Sequence, residues 1–428
     1  MLLKNTILKK MLTLFSNKKI YFLIFLIIFS FYKSPHIFIN GRFIAEEGSF
    51  WFRNTFLFGN FEGLTQLFVG SAYFNLWPNV ASIFANIVPL EFAPLVTVYF
   101  AFSINILLYL YILFQKSYFL ETNFQKYAVG LIVLFAPTMV AEIWLNTLAS
   151  QVYLTIISVL ILFQINTENF LTKFSPVVLF FSSLSAIPTC VLSPFFFTKY
   201  LKNKDRINLY NLIVISLGSL VQLIIYLYIR INNLEWVGSN ERYILSTYKF
   251  LNYIYNVILK SFFGTPFTKF LYYNSNENIY LFILLIFILF VLIFIFIKSL
   301  KNILKDKITL TLFILFVAQS LLAIYAGKDN HVQGRFACIP SIILLFILLR
   351  IFYLKVNFRF VSGFLVIMSI FFGIYEFKNN NKYPHLLTCR GCPDWKDEVN
   401  KWKRDSNYEL KIWDYSTNKK MSLTKQKY

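Results

Sequence analysis

Charge is scarce in this chain, and acidic charge is scarcest: 20 Asp and Glu stand against 41 Lys and Arg, and charged residues fill only 14% of 428 positions. With 57% hydrophobic and 20% aromatic residues, a soluble globule would have to expose large apolar patches, which excludes that class. Cysteine is rare too, four in all, which excludes a disulfide scaffold. The phosphate-cradling G-x-x-x-x-G-K-[ST] loop and the G-x-G-x-x-G turn are both missing. A nucleotide-driven pump and a classical nucleotide-sugar fold are therefore without support, and no nucleotide cofactor is expected. An activated group must come from elsewhere, such as a lipid-linked donor or an ion gradient.

What the chain has in abundance is long apolar runs. Residues 279–297 carry no charge, Gly or Pro and are bracketed by Asn278 and Lys298. At about 1.5 Å per helical residue, such a run just crosses a hydrocarbon layer of about 30 Å. Further runs cover 20–32, 94–114, 127–143, 150–165, 174–187, 189–197, 208–229, 309–326, 336–354 and 360–377. The fold class expected is an all-α polytopic membrane protein with about eleven transmembrane helices. Pro176, Pro188 and Pro194 interrupt the stretch 174–197, which is too long for one span and short for two, and Lys173 and Lys199 mark its ends. A short hairpin turning near Pro188 is expected there. Lys4, Lys9, Lys10, Lys18 and Lys19 precede the first run, whose end lacks the small residues of a cleavage site, so an uncleaved span is expected.

With the N-terminus cytoplasmic, Lys116, Lys126, Lys173, Lys199, Lys202, Lys204, Arg206, the lysines of 298–307, Lys355 and Arg359 all fall in inner loops. The net charge of +21 is accordingly read as topology and contact with anionic headgroups of the bilayer, not as a nucleic-acid surface. Outside fall a long loop 33–93, a tight turn 144–149, a second long loop 230–278, a turn 327–335 and a polar tail. Residues 1–377 are expected to form the transmembrane domain and 378–428 a small extracytoplasmic tail. Twelve Lys or Arg against six Asp or Glu in that tail would also suit the cytoplasm, although long translocated segments obey the charge rule poorly. Trp395, Trp402 and Trp413 mark it as a packed unit. Its Cys389 and Cys392 form one C-x-x-C, too few ligands for a tetrahedral zinc site, and a local disulfide is the expected fate in an oxidising compartment.

The candidate chemistry lies on the outer side. In the first loop, Glu46 and Glu47 precede a stretch to Phe56 whose aromatic spacing predicts a helix along the membrane surface. Adjacent carboxylates there suit a catalytic role near a lipid-borne substrate, or simply a helix N-terminal turn favoured by the macrodipole. Glu142, Asn146 and Gln151 flank the 144–149 turn and offer a carboxylate with amide donors, or an ordinary polar turn anchored by Trp144. The 327–335 turn gathers Lys328, His331 and Arg335, a set that suits a phosphate, although a helix-end arginine in a solvated turn would look the same. In the second long loop, 243–263 is amphipathic and expected to lie on the membrane without a chemical role.

This arrangement resembles the GT-C superfamily of integral membrane glycosyltransferases, which take sugars from polyprenyl phosphate or pyrophosphate carriers. Glu46-Glu47 matches the position of that family's acidic pair in the first extracytoplasmic loop, with glutamates where aspartate is more usual. The stretch 144–154 is similar to the family's Asn-bearing turn followed by an aromatic, and Gly334-Arg335-Phe336 resembles the Arg-aromatic start of a late span. The likeness runs to about Leu354 and leaves the tail outside. It implies a bacterial inner-membrane enzyme with a lipid-linked sugar donor and a glycan, lipid or protein acceptor. It also implies Glu46 or Glu47 as base or as holder of a divalent cation, and Arg335 with Lys328 or His331 on the departing phosphate. A carboxylate at the nucleophile and cations at the leaving group are what displacement at an anomeric carbon requires. A polysaccharide polymerase or ligase fits the Arg-bearing outer loops almost as well. A lipid-linked-glycan transporter would want ionisable residues inside the spans, which are nearly free of them.

Overall fold

A computed structural model describes residues 18–69, 72–140, 142–232, 234, 246–274, scattered positions between 280 and 298, 303–327, 332, 334–354, 358–378, 394–413 and 419–424. The chain folds as a mostly helical membrane protein. The longer helices are α1 (Lys18–Lys33), α2 (Leu76–Ile87), α3 (Ala93–Phe114), α4 (Asn123–Phe135), α5 (Ser150–Leu162), α6 (Phe170–Ser185), α7 (Ser193–Asn203), α8 (Arg206–Ile231), α9 (Lys260–Asn274), α10 (Lys307–Ala326), α11 (Arg335–Tyr353), α12 (Arg359–Lys378) and α13 (Trp395–Arg404). Among the described residues, five helices are long and apolar enough to cross a membrane: Leu90–Phe114, α8, α10, α11 and Arg359–Phe377. The run 279–297 lies mostly outside the described residues.

Helix α5 occupies the centre. All residues from Val152 to Leu162 are buried, so it is apolar all round because protein surrounds it on every side. Its 13 residues make about 20 Å, less than a hydrocarbon layer, so other helices shield it from lipid. Helix α4 ends at Phe135 instead of running to residue 143, because Pro137 biases the preceding residue away from helix. The residues from Glu142 to Ala149 are consequently turns, with Leu145 in the left-handed region. The stretch around Pro188 does form a hairpin: Asn166 before α6 donates to both oxygens of Asp205 after α7 at 2.8 Å, which brings the two ends together.

Two ends of the bundle differ in character, and α11 runs between them. Arg350 at its C-terminal end pairs with Glu121 at 2.8 Å and Asp306 at 3.1 Å. At that same end Lys126 donates to the carbonyls of Leu113 and Gln115, and Lys199 donates to those of Ile161 and Gln164. These hydrogen bonds satisfy carbonyls left open at helix C-termini. Arg335 starts α11 about 22 Å away, at the end that carries the first loop.

That loop is itself folded. Short helical turns at Pro35–Asn40, Glu47–Phe52, Arg53–Phe58 and Asn60–Thr65 lead into α2. Contrary to the surface-helix expectation, its early aromatics point inward: Phe43, Trp51 and Phe52 are buried, while Phe58, Phe61, Phe84 and Ile87 are the exposed ones. The tail supplies the cover. Helix α13 and a two-stranded ribbon, β1 (Leu410–Lys411) and β2 (Lys420–Met421), share a core with the loop in which Trp395, Val399 and Ile412 meet Phe43 and Phe52. Helix α13 is seated through Trp395, whose indole donates to the Leu90 carbonyl at 2.7 Å, and through a Lys403–Glu91 ion pair. The tail and the first loop therefore lie on the same side. Cys389 and Cys392 lie outside the described residues.

The amphipathic stretch of the second loop also departs from expectation. From Ser246 onward it enters the bundle against α10, α11 and α12, with Tyr253, Val257 and Leu259 buried. Lys249 reaches the Gly327 carbonyl at 2.7 Å, and Thr265 binds the Glu376 carboxylate through its amide and its hydroxyl. Packing against neighbouring helices takes up the apolar face that the sequence pattern assigned to lipid.

Candidate active site

Three segments far apart in sequence meet at the loop-bearing end. The chain leaves α1, turns at Gly41 and presents residues 42–47 against the turn 142–149. Gly41 has φ +70°, and a Cβ there would come within 2.7 Å of the Leu95 backbone nitrogen, so only glycine fits this close pass over α3. Ala45, also left-handed at φ +50°, then separates the two glutamates in role.

Glu47 points inward and is 1% exposed. Its Oε1 accepts from the Thr147 hydroxyl at 2.5 Å and from the Thr147 amide at 3.0 Å, and its Oε2 accepts from the Ile44 amide at 3.5 Å. Burial raises its carboxyl above the ordinary range, against the opposing pull of these donors and of Arg42. Arg42 is equally buried, donates Nη2 to the Trp144 carbonyl at 2.9 Å and lies 5.1 Å from the Trp413 ring centroid. Burial depresses it to about 10, with Glu47 acting the other way. Glu47 is thus a clamp between two loops, with both oxygens occupied.

Glu46 points outward and its side chain is 40% exposed. Burial tends to raise its carboxyl, but Lys419 at 3.0 Å, its own backbone and Arg335 outweigh this and hold it below the ordinary glutamate value. Arg335 in turn binds Glu142 at 3.4 Å. Gly334 makes that pair possible: it has φ +60°, and a Cβ would sit 2.5 Å from Glu142 Oε2. Glu46, Glu142 and Arg335 therefore face one another at this end.

Arg335 also lines a cavity of about 200 Å³, together with Tyr73, Gln151, Pro188, Gln319 and Phe336 among others. Most of the lining is apolar, and among the described residues Arg335 is the cation in it. No family model, no curated protein and no solved structure matches this chain. The argument for function consequently rests on the geometry of this end of the bundle.

Of the residues singled out from sequence, Glu46, Glu142, Gln151 and Arg335 converge here. Glu47 adjoins them as a clamp. Asn146 is buried away from the cavity, donating to the Glu142 carbonyl at 3.2 Å and accepting from the Leu148 amide at 3.0 Å, so it shapes the turn. Lys328 and His331 lie outside the described residues. Thr147, Lys419 and Tyr73 were not anticipated. Thr147 stands beside the chosen Asn146, and Lys419 carries no local signal in a basic tail. Among the described residues no group of three or more His, Cys, Asp or Glu side chains gathers to hold a metal ion. The two carboxylates here, Glu46 and Glu142, are each paired with a cation, Lys419 and Arg335, a set that does not fit a divalent ion.

Proposed function

We propose that the protein is a membrane glycosyltransferase of GT-C type that transfers a sugar from a polyprenyl-phosphate-linked donor to a cell-envelope glycan, lipid or protein acceptor. The observation that carries this reading is Arg335, which pairs with Glu142, lends its charge to the part-exposed Glu46 and lines an apolar cavity. A polyprenyl-linked sugar has the same polarity pattern: an apolar chain, an anionic phosphate and a sugar in water. The chain enters the cavity and the phosphate meets the Arg335 guanidinium, whose planar fork suits it. Glu46 takes the proton from the acceptor hydroxyl, whose oxygen attacks the anomeric carbon. The bond from that carbon to the phosphate oxygen breaks and the electron pair leaves with the lipid phosphate, whose growing charge Arg335 stabilises. Glu47, buried with both oxygens engaged, is out of reach of an acceptor hydroxyl. The reading places this face outside the cytoplasmic membrane and carries the full count of eleven crossings.

The test is retention of polyprenyl phosphate by the purified full chain in nanodiscs, measured by native mass spectrometry. The wild type retains it and Arg335→Met loses it by tenfold or more. Equal retention by Arg335→Met contradicts the assignment.

A further inference from the structure

The C-terminal tail brings Lys419 to the candidate site, and its docking geometry fixes where that residue stands. Trp413 is stitched into the 42–47 segment from both sides: its amide donates to the Phe43 carbonyl at 3.0 Å, and its carbonyl accepts from the Ala45 amide at 3.3 Å. The ribbon then returns, with Leu410 opposite Met421, and the Ile412 amide donates to the Lys419 carbonyl at 3.2 Å. Beyond it, Arg53 Nε holds the Ser422 carbonyl at 2.9 Å. Lys419 is therefore pinned at the backbone from both directions, one strand away from the residues that carry the acidic pair, and its Nζ meets Glu46 Oε1 at 3.0 Å.

The ion pair contributes little to holding the tail in place. Both side chains are partly exposed, and such pairs are worth about 0–1 kcal/mol. Burial of Trp395, Val399, Leu410, Ile412 and Met421 contributes about 1.5–3 kcal/mol for each large side chain. Docking does not need Lys419, yet docking delivers it to Glu46, a part-exposed carboxylate of the site.

Resting on the glycosyltransferase reading, we propose that Lys419 is a positioning residue for Glu46: the tail completes the site by aiming this carboxylate and keeping it ionised for the acceptor. Among the described residues the charged groups facing Glu46 are Lys419 and Arg335, with Glu142 beyond Arg335 and the buried Glu47 next in the chain. Arg335 is committed to Glu142 and, in the reaction, to phosphate. Among the described residues Lys419 is the cation left to Glu46.

The experiment reads Glu46 directly. The full chain in nanodiscs is treated with a water-soluble carbodiimide, which attacks the protonated carboxyl, and labelling of the peptide containing Glu46 is followed by mass spectrometry as a function of pH. In Lys419→Met the midpoint moves up and labelling in mildly acidic buffer rises severalfold. Lys419→Arg restores the wild-type curve, and Lys420→Met, whose partner is Glu409, leaves it unchanged. The acid limb of sugar transfer moves in parallel with the Lys419→Met curve. A Lys419→Met curve identical to wild type, with transfer still lost in Glu46→Gln, overturns the positioning role and leaves the enzyme reading intact. A shifted curve with normal transfer in Glu46→Gln overturns the enzyme reading, and the role of Lys419 falls with it.

Discussion

Thr147→Val probes the division of labour between the two glutamates. In the structure Thr147 gives Glu47 Oε1 two hydrogen bonds, the hydroxyl at 2.5 Å and the amide at 3.0 Å, and Glu47 is shut off from water. Valine keeps the amide and nearly the same volume but removes the hydroxyl. A hydrogen bond to a charged group contributes about 1.5–3 kcal/mol, and the carboxylate left behind has no water to replace it. The expected loss is therefore about 1.5–3 kcal/mol in the contact between the first loop and the 142–149 turn. That loosening is read by hydrogen–deuterium exchange in nanodiscs as roughly 10- to 150-fold faster exchange of both segments, at 1.4 kcal/mol per factor of ten. Thr147→Ser keeps the hydroxyl and serves as control. The pH dependence has a definite sign. Because burial places the Glu47 carboxyl above its unfolded value, its share of stability is full below the ordinary glutamate range and is lost as pH rises through the folded value. In Thr147→Val that decline extends to higher pH. Valine and serine variants with equal exchange would refute the clamp.

Other variants test the remaining parts. Gly334→Ala forces a side chain into a left-handed position against Glu142, so it should cost about 1–3 kcal/mol and break the Arg335–Glu142 pair, measured as a lowered thermal midpoint together with weaker polyprenyl phosphate retention. Arg350→Met strands Asp306 at the opposite end; it should cost about 3 kcal/mol in thermal stability while leaving lipid retention unchanged. Single cysteines at positions 46 and 409, in a background without native cysteines, should label from one side of sealed vesicles, and cysteines at 168 and 202 from the other. Labelling of 46 and 409 from opposite sides would break the loop–tail contact.

The apolar runs made most helices legible, because lipid and a protein core both select continuous hydrophobic sequence. That same ambiguity hid which environment each helix meets. Nothing local distinguishes α5, enclosed by protein, from α8, half of whose residues are exposed on the bundle surface. The helix entering at Thr247 reads as an interfacial element for the same reason. Glu46, Glu142 and Arg335 could be picked out because charge is rare here and marks the ends of spans. Their division into clamp and exposed carboxylate could not, since Glu46 and Glu47 are adjacent and identical, and a left-handed Ala45 decides which one turns inward. Lys419 was invisible because its partner lies 373 residues away.

The most direct test of the account is transfer of a radiolabelled sugar from a panel of polyprenyl phosphate and pyrophosphate donors by the purified protein in proteoliposomes, comparing wild type, Glu46→Gln and Glu47→Gln. The account predicts transfer by the wild type, a loss of about 10²–10⁴-fold in Glu46→Gln, the range for a positioned general base, and a smaller loss in Glu47→Gln. Wild-type rates in Glu46→Gln, or no transfer from any lipid-linked donor, would contradict it.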